Sequence, residues 1–119
     1  MSLEEGAILE PLSVGVHACR KGGVGLGSDV LITGAGTIGI VTLFAAKAMG
    51  ASSVTITDVL PSRLETAKKC GADNILLVKP TDSEEVLSEK IQGLIGAEPS
   101  ITIDCTGMES SLRLAIQVR

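Results

Sequence analysis

The stretch VLITGAGTIGIVTLFAAKAMG, Val30 to Gly50, decides the fold. Val30–Thr33 is β-branched and aliphatic without polar alternation, which predicts a strand buried on both faces, as in parallel sheets. Gly34-Ala35-Gly36-Thr37-Ile38-Gly39 follows at once, a G-x-G-x-x-G that leads straight into a second apolar run. Ile38–Met49 has helical length and apolar side chains on almost every face, and Gly50 stands where a left-handed terminal residue belongs. A glycine turn held between strand and helix is far more specific than the same letters elsewhere. Gly34 permits the tight turn, Gly36 lets a pyrophosphate approach the backbone, and Gly39 lets the helix pack close. The phosphates would then lie on the free amides at the positive end of that helix.

Outward from this unit the pattern repeats. Val54–Thr57, Ile75–Val78 and Ile101–Ile103 read as three further strands. Pro61 suits a first helical turn, Leu64 and Ala67 share a face, and Gly71 closes a helix over Pro61–Cys70. Thr81 and Glu84 match a capping box, followed by a stripe of Leu87, Ile91 and Leu94 that Gly96 ends. A further helix is expected near Glu109. Before the first strand, Leu12, Val16 and Cys19 share a face of a helix predicted to start near Pro11. Alternating strands and helices with right-handed crossovers define the α/β class, a doubly wound parallel sheet.

Asp58 ends the second strand, 19 residues after Gly39. A carboxylate there can accept both hydroxyls of an adenosine ribose, and its charge disfavours a 2′-phosphate, so NAD is expected over NADP. Arg63 is placed against the adenine or beside the ribose. Methyltransferases that use S-adenosylmethionine also pair a glycine loop with an acid after the second strand. The third glycine and the helix start favour the dinucleotide. Thr106, in the loop after the fourth strand, either borders the adenosine or opens a helix. Asp104 reads as a cap. Glu10 is a favourable anion at a helix start or an acid that meets a metal or substrate.

Composition narrows the function. The 119 residues amount to one domain, with 45% hydrophobic residues and Phe44 as the only aromatic. A net charge of −4 and the missing aromatic faces argue against nucleic acid as a partner. No apolar run is long enough for a membrane span. Cys19, Cys70 and Cys105 are odd in number and far apart, which points to no disulfide framework and to a reducing, cytoplasmic setting. His17 and Cys19 form an H-x-C pair that a helix would turn to different faces, so they are not expected to share a metal.

EPLSVGVHACR (Glu10–Arg20), the glycine turn with its helix, TDVLPSRLETAKKCGAD and ITIDCTG together resemble the polyol dehydrogenases of the zinc-containing medium-chain dehydrogenase/reductase superfamily. The resemblance runs from Glu4 to Arg119, with Thr37 where many relatives carry proline. It implies NAD-linked, zinc-dependent oxidation of a secondary alcohol in a polyol, of the sorbitol-to-fructose type, in a homo-oligomeric (tetrameric) parent. By the same resemblance Gly34, Gly36, Thr37, Ile38 and Gly39 line the pyrophosphate, and Asp58 and Arg63 bind the adenosine. Glu10 lies near the catalytic zinc, directly or through water. Family members also carry a catalytic domain with the remaining zinc ligands and two more sheet strands. This chain is therefore expected to be a truncated Rossmann-like fragment: residues 1–27 a leading helix and linker, residues 28–119 a partial NAD-binding domain. About four strands and four crossover or flanking helices are expected in addition to the leading helix. Alone, it is expected to be inactive. An NAD-binding module without catalysis, or another alcohol or threonine dehydrogenase of the superfamily, is the alternative.

Overall fold

The structure is a computed structural model and describes residues 3–107, with side chains described from residue 11 onward. Four parallel strands, β1 (Asp29–Thr33), β2 (Ser53–Asp58), β3 (Asn74–Leu77) and β4 (Ile101–Asp104), form one sheet in the order β3-β2-β1-β4. The helices are α1 (Leu3–Gly22), α2 (Thr37–Ala48), α3 (Pro61–Lys69) and α4 (Glu84–Ile95). The architecture is α/β and Rossmann-like. The helix expected near Glu109 lies outside the described residues, although Thr106 and Gly107 already have helical backbone.

The chain reverses its direction across the sheet after β3, so right-handed crossovers place α4 on the face opposite α2 and α3. The sides of β1 agree. Val30 and Ile32 belong to one continuous core with Ile38, Leu43, Ala46, Val54, Ile56 and Ile103. Leu31 instead borders a groove with Leu87 and Ile91 of α4. Among the described residues the core contains no aromatic side chain; Phe44 stands half-exposed on the outside of α2.

Two helical expectations are corrected. Leading helix α1 begins well before Pro11, which lies inside it. The strong helix formers at Leu3-Glu4-Glu5 and Ala7-Ile8-Leu9 outweigh the one hydrogen bond a proline removes. Its buried side runs through Pro11, Gly15 and Cys19, while Leu12 is exposed. Small residues win because α1 lies directly on α2: a Cβ at Gly15 would stand 3.0 Å from the Thr42 amide nitrogen. At α4 the cap is Ser83, whose hydroxyl accepts from the Val86 amide at 3.3 Å, rather than Thr81. Asp82 is engaged in a turn, accepting from the Lys79 amide at 2.9 Å and donating its own amide to the Lys79 carbonyl, which delays the helix by two residues.

Candidate functional site

The carboxyl ends of β1, β2 and β4 meet in a cavity of about 360 Å³. Open α/β sheets bind ligands at this edge, where the strand order reverses on either side of β1. Gly34 leaves β1 at φ +98, a conformation that side chains rarely adopt, and donates its amide to the Thr57 carbonyl at 2.7 Å. A Cβ at Gly34 would meet the Thr106 amide nitrogen and Oγ1 at 3.2 Å, so the loops after β1 and β4 touch there. Gly36 then caps α2, which carries no acidic residue in its first turn, and the positive end of its dipole faces this edge.

Asp58 is 8% exposed and already engaged. Its Oδ2 accepts from the Ala35 amide at 2.8 Å and its Oδ1 from the Leu60 amide at 2.9 Å. The acid thus holds the glycine turn to the end of β2. A carboxylate has about four lone-pair sites, so capacity is left for ribose hydroxyls. Arg63 Nη1 stands 3.8 Å from Asp58 Oδ2, a loose pair with the guanidinium partly in solvent. Asp104 accepts from the Thr33 hydroxyl at 2.9 Å and from the Thr106 amide at 3.0 Å. These bonds hold its carboxyl below the usual range and pin the β4 loop beside the glycine turn.

Of the residues singled out from the sequence, Gly34, Gly36, Asp58, Arg63 and Thr106 line this one cavity. Thr37 borders a neighbouring hollow that Gly36 and Arg63 share. Ile38 is fully buried in the core, and Gly39 lies beneath the turn, where a Cβ would overlap the Gly34 carbonyl. Both support the site from below. Glu10 is in α1, but its side chain lies outside the described residues. Val59, Val78 and Leu87 also line the cavity and were not singled out; their place at strand ends and at a helix start was the available signal.

The glycine cradle, the acid and the cavity suit a dinucleotide. Zinc finds no such fit: among the described residues no three His, Cys, Asp or Glu side chains come together as a donor set. His17 faces an open groove of about 740 Å³ between α1 and β4, with Lys21 and Asp104. Cys19 points the other way, its thiol donating to the Thr42 carbonyl at 3.6 Å, and burial pushes that thiol's pKa up. Among the described residues no helix is long and apolar enough to cross a membrane.

The fold is of the doubly wound α/β class, and residues 37–119 match the zinc-binding dehydrogenase family. The chain belongs to that family. It is similar to the sorbitol dehydrogenases of Ovis aries, at 53% identity, and Homo sapiens, at 51%, in each case over 98% of this chain and 32% of the relative. The chain therefore spans about a third of the length of the curated relatives it matches. Among solved structures, a zinc-binding dehydrogenase from Clostridium scindens described as putative superposes with a TM-score of 0.77 at 32% identity, covering 90% of this chain and 29% of that one. An Escherichia coli alcohol dehydrogenase in complex with NADH superposes with a TM-score of 0.71 at 29% identity, covering 83% and 28%.

Proposed function

We propose that the chain is the NAD-binding part of a zinc-dependent polyol dehydrogenase, one that oxidises a secondary alcohol of a sugar alcohol by hydride transfer to NAD. The observation that carries this reading is Asp58, a carboxylate at the end of β2 that shares one cavity with Gly34 and Gly36. The glycine turn would carry the pyrophosphate, Asp58 the ribose hydroxyls, and Arg63 and Thr106 the adenosine end. Bound NAD supplies the hydride acceptor, and the residues described here bind and orient it. Zinc would be held elsewhere in the parent protein, with Glu10 as an acid near it. The sorbitol dehydrogenase relatives support a small polyol as substrate, and a cytoplasmic, homo-oligomeric parent belongs to the same proposal.

Among the described residues no zinc donor set comes together, and the isolated chain is expected not to turn over sorbitol. Titration with NADH, NADPH and S-adenosylmethionine tests the binding reading. NADH should bind most tightly, and selective binding of either competitor overturns it. Measurable sorbitol oxidation by the 119-residue chain would refute the expected inactivity.

A further inference from the structure

An aspartate holds the glycine turn from each of the two strands beside β1. On the β2 side Asp58 accepts from the Ala35 amide and lines the cavity itself. On the β4 side the acid is Asp104, the last residue of β4 and the register partner of Thr33 at the end of β1. A single carboxylate oxygen, Oδ1, accepts from both the Thr33 hydroxyl and the Thr106 amide, at 2.9 and 3.0 Å. Thr33 and Thr106 line the cavity, whereas Asp104 lies outside it and borders the groove beside α1. The bond to Thr106, two residues on, is what a cap at a helix start makes. The bond to Thr33 is of another kind, since it reaches a strand 71 residues away. The ladder's own last rung runs from the Cys105 amide to the Thr33 carbonyl at 2.8 Å and stops short of Thr106. Gly34, which Thr106 approaches, has no side chain that could fix the distance between the two loops.

We propose that Asp104 is a positioning residue for the dinucleotide: by tying the end of β1 to Thr106 it holds the β4 wall of the cavity at its binding distance from the glycine turn, without touching the ligand. The proposal rests on the dinucleotide reading above. A wall already in place spares the ligand the cost of ordering it, so the tie shows in affinity as well as in stability. An ionised carboxylate suits the place, because one of its oxygens can accept two bonds at once.

The test is calorimetric titration of the full chain and its variants with NADH, paired with urea denaturation of each. Asp104→Ala and Thr33→Val should each weaken NADH about tenfold, the worth of one hydrogen bond to a charged group, and the double variant should bind no more weakly than Asp104→Ala. Asp104→Asn and Thr33→Ser keep the acceptor oxygen and the donor hydroxyl, and should recover most of the loss. Asp73→Ala removes a tie at the opposite end of the sheet, where Asp73 accepts from the Val54 amide at 2.7 Å; it should lose stability and bind NADH as the parent chain does. Unchanged affinity in Asp104→Ala, with only the urea midpoint lowered, makes Asp104 a helix cap and overturns the proposal while the dinucleotide site stands. Losses that add in the double variant, or an equal loss in Asp73→Ala, overturn it as well. Should Asp104→Ala not fold, Thr33→Val against Thr33→Ser decides, and equal affinity of those two overturns the tie. Failure of the parent chain to bind NADH overturns both readings together.

Discussion

Replacing Gly39 by alanine should destabilise the chain and displace the glycine turn, against the ordinary preference of a helix for alanine. Gly39 sits in the first turn of α2 with no positive φ, so on intrinsic propensity alone the change would gain about 1 kcal/mol. The space forbids it. The new Cβ would stand 2.9 Å from the Gly34 carbonyl carbon and closer still to its oxygen, whereas ordinary contact begins at 3.4 Å. Gly34 cannot swing away, because its amide is bonded to the Thr57 carbonyl and the next amide, that of Ala35, to Asp58. Overpacking against so constrained a neighbour falls at the upper end of its usual range, about 3 kcal/mol. The net loss is then about 2 kcal/mol, or roughly 8 °C in Tm for a domain of this size. Gly93→Ala is the matched control: it lies inside α4, and beyond its chain neighbours and the helix's own backbone nothing among the described residues stands within 4 Å of its Cβ. That variant should gain about 0.5–1 kcal/mol. Urea denaturation and NADH titration of both variants read the contrast. If Gly39→Ala is as stable as Gly93→Ala and binds NADH unchanged, the close approach of α2 to the turn is wrong.

The remaining predictions concern charge and thiols. Hydrogen bonds from the Thr33 hydroxyl and the Thr106 amide hold the Asp104 carboxyl low, so the stability they carry is whole above about pH 4, the unfolded aspartate value, and lost as pH falls through the folded value. Acid denaturation of the parent chain and Asp104→Asn should show a gap that is constant near neutrality and closes below about pH 4; a gap independent of pH contradicts this. A thiol reagent should label half-buried Cys70 in the native chain and reach buried Cys19 and Cys105 only on unfolding, with early modification of Cys19 by mass spectrometry as the contrary result.

Much of this arrangement is legible in local sequence. The strands fall within a residue of the apolar runs, and Gly50, Gly71 and Gly96 mark turns at positive φ after their helices. Those signals are short-range, since each depends on one residue's own conformational limits. What local pattern missed is set by neighbours distant in the chain. The Asp82 turn took the residue beside the expected cap, and Gly15 let α2 approach and so chose the buried side of α1. The double engagement of Asp58 and the place of Leu87 in the cavity depend on how three loops and a helix converge. A stripe at helical spacing carries no record of what it faces.

The strand order also sets how far apart in the chain the paired strands lie. β1 meets β2 with 24 residues between partners such as Val30 and Val54, and β2 meets β3 with 19, as between Thr55 and Asn74. β4 must find β1 across 71 residues, from Val30 to Ile101. Loop closure over the longer span costs about 1 kcal/mol more before any contact forms. Loop entropy therefore favours the pairing of β1, β2 and β3 over that of β4 with β1. The glycine turn and Asp58 lie on the strands with the short closures, whereas Thr106 follows β4, so the wall of the cavity is the part that depends on the longest closure in the sheet.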